Sequence, residues 1–116
     1  TMWSRTMAHL HKNRALVFVA VNPGSLLATK MVKEGFGVAG DDIRVGSDVL
    51  VRAALADEFA EASGLYFDND KGHFSSPHRD ALDATKCQEV TGAIEASLVD
   101  NRRGNRASRT AGPKSL

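Results

Sequence analysis

The histidines and the cysteine are the first residues to test for chemistry. His9 and His11 are two apart, so on a helix they point to different faces and cannot share a metal ion. Cys87 is the only cysteine, which excludes an internal disulfide and fits a reducing, cytoplasmic setting. No histidine stands at a recognisable spacing from it, so a neutral thiol is favoured over a nucleophile.

A second group of polar residues follows Phe67. Asp68 and Asp70, with His73 and His78, have side chains that ligate metals. A calcium-binding EF-hand loop that began at Asp68 would need an acid at its twelfth position, where this chain has Arg79. The segment Asp-Asn-Asp-Lys-Gly is instead typical of a polar turn.

Helical and strand patterns alternate in the first part of the chain. Trp3, Met7 and Leu10 share one face of a helix predicted over residues 2–12. The seven apolar residues 15–21 predict a strand that is covered on both faces, as in the centre of a parallel sheet. Asn22-Pro23-Gly24 then ends the strand.

The second part continues this alternation. A helix is predicted over residues 47–62, with Ser47 as its cap and with Val51, Leu55 and Phe59 on its apolar stripe. A short strand over 65–67, a polar turn and a last helix capped by Asp83 follow.

The predicted sheet is incomplete. Two strands separated by a helix must be parallel if they pair, and a two-stranded sheet is not stable by itself. We therefore expect the strand over 15–21 to take neighbours from another copy in a homo-oligomer, or from chain encoded upstream. A non-catalytic interaction module derived from a truncated dehydrogenase is the alternative to an enzymatic role.

The segment 19–31, VAVNPGSLLATKM, resembles one stretch of the short-chain dehydrogenase/reductase family. In that family the sixth strand of a Rossmann-type sheet ends in Pro-Gly, and a threonine follows. The order helix-strand-lid loop-helix-strand-helix also agrees, as does Gly-Leu-Tyr-Phe at 64–67. The resemblance covers about residues 1–99 and implies an α/β fold, the C-terminal portion of a doubly wound parallel sheet.

The resemblance also implies the site. Main chain and side chains of one group of residues would bind the nicotinamide end of NAD or NADP, and a second group would form a lid over an alcohol or carbonyl substrate. The first group is Asn22, Pro23, Gly24, Ser25 and Thr29, and the second is Leu26, Met31 and Phe36.

Several parts of such an enzyme have no match in this chain. The family's catalytic pair is Tyr-x-x-x-Lys, but four residues after Tyr66 stands Asp70. The three glycines of 35–40 have the letters of the dinucleotide fingerprint, yet they do not lie between a strand and a helix. We therefore expect residues 1–100 to be the C-terminal part of a Rossmann-like dehydrogenase domain that is inactive by itself.

Charge is distributed unevenly. Residues 1–100 hold ten Lys/Arg and fourteen Asp/Glu, a balance of −4, whereas residues 101–116 hold five Lys/Arg and no acid, a balance of +5. The tail of residues 101–116 is predicted to be basic and disordered. Five charges without aromatic residues make a small electrostatic footprint, so nucleic acid is not expected as a partner. The longest apolar run is too short for a membrane helix, so no membrane partner is expected.

Overall fold

The computed structural model describes residues 1–25, 27, 34–35 and 42–110. The described helices are α1 (Met2–Leu10), α2 (Ile43–Leu55) and α3 (Ala84–Thr110). The strands are β1 (Ala20–Asn22), β2 (Tyr66–Asp68) and β3 (His73–Phe74). Two short 3-10 helices, Asp57–Phe59 and Arg79–Leu82, lie in the connections. The chain is a mixed α/β protein.

The three strands form one sheet in the order β1-β2-β3. β1 and β2 are parallel, as the helix between them requires, and Val21 is in register with Phe67. β3 runs antiparallel to β2, with Phe67 opposite Phe74. The predicted purely parallel sheet is therefore wrong for the described part of the chain. The two residues of β3 are too few to show a strand pattern in the sequence.

Helices cover both faces of the sheet. The side chains of Phe18 and Val19 point to opposite faces because they are neighbours in an extended segment. Phe18 makes an edge-on contact with Trp3 of α1, with ring centroids 5.9 Å apart. Val19 packs instead against the buried cluster that includes Val49 of α2. The sheet is thus a layer between α1 and α2.

The core is small and centres on aromatic rings. Phe59 and Phe67 are each 2% exposed, and their ring centroids are 5.2 Å apart. Phe74 completes the group at 5.2 Å from Phe59 and 5.1 Å from Phe67. Val49 and Ala62 close the cluster. Burial of large aromatic side chains supplies most of the apolar stabilisation here.

β1 is shorter and more exposed to solvent than the sequence predicts. The strand covers only Ala20–Asn22, and its residues are half-buried rather than buried. Leu16 and Val17 are 49% and 45% exposed. The predicted bounds of 15–21 are therefore wrong: helices cover both faces at Phe18 and Val19, but Leu16 and Val17 precede the strand and are about half exposed.

α2 starts and ends earlier than predicted. Asp42, not Ser47, is the N-cap, and its carboxylate accepts a hydrogen bond from the Arg44 amide at 2.9 Å. The helix stops at Leu55 because Ala56 is extended. This stop turns the chain, so Phe59 enters the core from a 3-10 helix while Val51 and Leu55 stay exposed.

The outer helices also differ from expectation. Trp3 and Leu10 of the predicted apolar stripe are exposed, and Ser4 is the buried residue of α1. α3 is capped by Asp83 as predicted, through the Lys86 amide at 3.1 Å.

The C-terminal tail was expected to be disordered from residue 101, but α3 continues to Thr110. Residues 111–116 lie outside the described residues. Once the packed first turns of α3 exist, each further residue adds a backbone hydrogen bond, so a polar sequence can extend the helix.

No helix in the described ranges has both the length and the apolar content that crossing a bilayer requires.

Candidate functional site

The structure describes four of the eight predicted site residues. Asn22 ends β1, and Pro23, Gly24 and Ser25 follow it directly. Leu26, Thr29, Met31 and Phe36, which include the predicted lid residues, lie outside the described residues. The site is therefore built from the carboxyl ends of β1 and β2, where ligands of open α/β sheets bind.

Asn22 joins the two strand ends. Its Oδ1 accepts a hydrogen bond from the Gly24 amide at 3.1 Å, which shapes the turn after β1. Its Nδ2 donates to Asp68 Oδ1 at 3.2 Å and to Asp70 Oδ2 at 2.9 Å. One side chain thus holds the Pro-Gly turn against the turn that follows β2.

Asp70 binds the same turn from the other side. Its Oδ1 accepts a hydrogen bond from the Ser25 amide at 3.0 Å, and its Oδ2 accepts a short hydrogen bond from the Ser25 hydroxyl. Asp70 is itself positioned by Asp68, whose Oδ1 accepts from the Asp70 amide at 3.1 Å. The two segments form one polar network, although 45 residues separate Ser25 from Asp70.

Asn69 ties this network to helix α2. Its amide donates to the Asn22 carbonyl at 3.0 Å, continuing the parallel ladder. Its Nδ2 donates to the carbonyl of Pro23 at 3.0 Å and to that of Val45 at 3.3 Å. We call Asn22, Ser25, Asp68, Asn69 and Asp70 the strand-end network.

Sequence reasoning found Asn22 and Ser25 but assigned Asp68, Asn69 and Asp70 only to a turn. A signal was present, because the carboxyl ends of neighbouring parallel strands lie at the same edge of a sheet. The turn after β2 had to lie beside the turn after β1.

The backbone conformation of the turn after β1 requires glycine at position 24. Its φ of +141° is one that residues with a Cβ rarely adopt. A Cβ built there would lie 2.9 Å from Cδ2 of Leu27. The missing side chain does not leave open space for a flat ring, because the Leu27 side chain occupies that space.

The electrostatics of the strand-end network disfavour an anionic ligand group. The Ser25 hydroxyl, the Ser25 amide and Asn22 all donate to Asp70, in this order of effect, and they lower the pKa of its carboxyl group below the ordinary 3.8. Asp70 is therefore ionised at neutral pH and would repel a phosphate. A primary amide can instead donate to its carboxylate. The carboxylate of Asp70 can therefore accept a hydrogen bond from an N–H donor, whereas a pyrophosphate would be repelled.

A groove of about 400 Å³ lies elsewhere, between α1 and α3. Arg5, His9, Cys87 and Glu95 are among the residues that line it. Cys87 is 4% exposed, and its thiol donates to the Ala81 carbonyl oxygen at 3.3 Å. No residue of the strand-end network lines this groove, and it has no nucleophile–base pair with a hydrogen bond among the described residues.

The other candidates from the sequence are structural. Tyr66 lies in β2, as expected, and is half-buried. His73 Nδ1 is 2.9 Å from the Phe74 carbonyl oxygen, and His78 caps the second 3-10 helix through the Asp80 amide. Among the residues that the structure describes, no three metal-ligating side chains come together.

Comparisons with protein-family models, curated proteins and solved structures find no match to this chain.

Proposed function

We propose that the chain is the C-terminal segment of an NAD(P)-dependent short-chain dehydrogenase/reductase. It would supply the nicotinamide-side turn of an oxidoreductase that acts on alcohol or carbonyl substrates in the cytoplasm. The observation that carries the proposal is the position of Asn22–Ser25 at the carboxyl end of β1. β1 has a parallel neighbour, and helices cover both faces of the sheet.

The strand-end network defines what this segment would bind. Asp70 and Asn22 would hold the carboxamide of the nicotinamide, since a carboxylate accepts from an amide N–H and an asparagine both donates and accepts. The Gly24 amide already donates to Asn22, and the Ser25 amide already donates to Asp70. A ligand would therefore either replace Asp70 as the partner of Ser25 or donate to the acceptor positions that remain on Asp70. The coenzyme supplies hydride chemistry when it is bound.

The chain by itself would not turn over substrate. Tyr66 is its only tyrosine, it lies within β2, and Asp70 stands where the family's lysine would follow. The proposal therefore separates two properties: weak binding at the strand-end network and no hydride transfer.

Binding is tested on the 116-residue chain by two-dimensional NMR of its backbone amides during titration with NADH. We expect the amides of Gly24 and Ser25 to shift. Titration with ADP-ribose, which lacks the nicotinamide, is the control and should leave both unmoved. Equal shifts with ADP-ribose, or shifts confined to the groove between α1 and α3, would contradict the proposal.

Catalysis is tested by mixing the homogeneous chain with NADH or NADPH and a panel of aldehydes and ketones. The absorbance of the reduced coenzyme should not fall faster than in a blank. Turnover above the blank would mean that the chain carries its own acid–base group, against our reading of Tyr66.

A further inference from the structure

The groove between α1 and α3 offers apolar surface to a small molecule. Its volume of about 400 Å³ is within the range of small-molecule sites. Ala81, Cys87 and Thr91 line it and are buried. Leu10 and Leu82 also line it, yet they are 63% and 51% exposed. A ligand with an apolar body would therefore remove apolar surface of both leucines from water.

Gly92 enlarges this groove at a cost to helix α3. It lines the groove from the interior of α3, where a glycine destabilises a helix relative to alanine. A Cβ built on Gly92 would have no described atom of another part of the chain within 4 Å. Close packing therefore does not require glycine at this position, and the missing side chain leaves space in the groove.

Thr6 of α1 is a second unfavourable feature of the same groove. Its hydroxyl oxygen is buried and has no hydrogen-bond partner within the described residues. Buried hydroxyl groups are normally paired, because a hydroxyl that loses water and gains no partner destabilises the folded state. Two features that lower stability thus meet at one cavity, which is typical of sites where stability is traded for binding.

The two helices that form the groove carry charges of opposite sign. On α1, Arg5 Nη1 donates to the Gly64 carbonyl oxygen at 3.1 Å, which positions the guanidinium and leaves its other N–H groups for a ligand. His9 is four residues later, on the same side of α1. On α3, Glu95 is seven residues after Gln88 and shares its side. Within the described ranges, His9, Gln88 and Glu95 have no side-chain hydrogen bond or ion pair.

We propose that the groove binds an α-amino acid with an apolar side chain, in its zwitterionic form. Arg5 would bind the carboxylate, Glu95 would bind the ammonium group, and the apolar side chain would contact Leu10 and Leu82. A charge-assisted hydrogen bond is stronger than a neutral one, so these two contacts would fix the orientation of the ligand. After a rotation about its Cα–Cβ bond, Thr6 would donate to the same carboxylate.

The charges of the groove select a zwitterion over a ligand with a single charge. An anion would be repelled by Glu95, and a cation would be repelled by Arg5, whereas a net-neutral zwitterion meets an opposite charge on each helix. This site does not depend on the proposed coenzyme binding, because no residue of the strand-end network lines the groove.

Isothermal titration calorimetry of the 116-residue chain with L-leucine and with L-phenylalanine tests the proposal. We expect saturable binding of at least one of them. Two analogues of leucine test the charges: 4-methylpentanoate lacks the ammonium group, and 3-methylbutylamine lacks the carboxylate. Each should bind at least about tenfold more weakly than L-leucine, because each loses one charge-assisted hydrogen bond.

Two pairs of variants locate the site. Gly92→Leu should weaken binding at least about tenfold, because its side chain fills the groove, and it should stay folded because leucine favours a helix. Gly104→Leu is the matched control: it lies on α3 outside the groove, and its Cβ would also have no described atom within 4 Å. Glu95→Gln should weaken binding of L-leucine but not of 4-methylpentanoate. Glu89→Gln, exposed on α3 outside the groove, should change neither.

Two-dimensional NMR of the backbone amides gives a readout of position without a variant. The amides of Thr6, His9 and Gly92 should shift with the amino acid, whereas those of Gly24 and Ser25 should not. Absence of saturable binding of both amino acids would overturn the proposal. So would equal affinity for the two analogues and L-leucine, an affinity that Gly92→Leu leaves unchanged, or shifts at Gly24 and Ser25 in place of the groove.

Discussion

Replacing Ser25 with alanine should weaken the strand-end network at its strongest point. The Ser25 hydroxyl is the largest cause of the lowered pKa of Asp70, ahead of the Ser25 amide and Asn22. Ser25→Ala removes this donor and keeps the other two. The pKa of the Asp70 carboxyl group should therefore rise toward 3.8 in the variant.

The stability effect has a defined sign and size. The folded pKa of Asp70 lies below its unfolded value, so the stabilisation from its ionised form is present above about pH 4 and is lost as pH falls through the folded pKa. A hydrogen bond contributes about 0.5–1.5 kcal/mol. Because Asp70 is exposed, solvent screens its interactions, so Ser25→Ala should lower the free energy of unfolding by about 1 kcal/mol or less at neutral pH. The loss should be smaller in acid, where Asp70 is protonated.

Two measurements check this reasoning. NMR titration of the Asp70 side-chain carboxyl carbon gives the pKa directly, and urea unfolding at about pH 7 and about pH 3 gives the free energies. Ser97→Ala is the control, because the Ser97 hydroxyl donates to the Ala93 carbonyl on an exposed part of α3. An Asp70 pKa at or above 3.8 in the wild type, or one that Ser25→Ala leaves unchanged, would refute the role given to Ser25.

Three further outcomes follow from burial and backbone geometry. Phe59→Ala should lower the free energy of unfolding, measured in urea titrations, by about 3–5 kcal/mol, because the Phe59 ring is 2% exposed. Leu55→Ala is the control: its side chain is 79% exposed, so the free energy of unfolding should change by about 0.5 kcal/mol or less. Gly24→Ala should lower the free energy of unfolding by about 1–3 kcal/mol in the same assay, because φ of Gly24 is +141° and the new Cβ would contact the Leu27 side chain. An unchanged urea midpoint would mean that the turn relaxes without cost. Cys87 should react with a thiol reagent only as fast as the chain opens, and rapid labelling of native protein would contradict its 4% exposure.

Local chemistry determined much of the element order. The Pro-Gly turn after Asn22 ends β1, and Gly-Leu-Tyr-Phe leads into β2 close to the predicted position. Asp83 caps α3 as predicted, because capping depends on residues within one turn. The parallel pairing of β1 and β2 also followed from the sequence, since a helical crossover is the usual connection between parallel strands.

Burial was predicted less well, because it depends on what packs against each face. The pattern of α2 placed Val49, Val51 and Leu55 on its apolar face, yet of these three only Val49 is buried. Residues 15–17 have a buried-strand composition, but burial needs neighbours on both edges, and the described residues supply only one.

The sequence by itself determined the order of α1, β1, α2, β2 and α3, the parallel pair and the turn at Asn22–Ser25, because each depends on short-range chemistry or on connection geometry. Only the tertiary structure showed that Asp70 binds Ser25 and that the Asn69 side chain binds the carbonyls of Pro23 and Val45. These contacts join residues far apart in sequence, so they depend on how the layers pack and not on any local pattern.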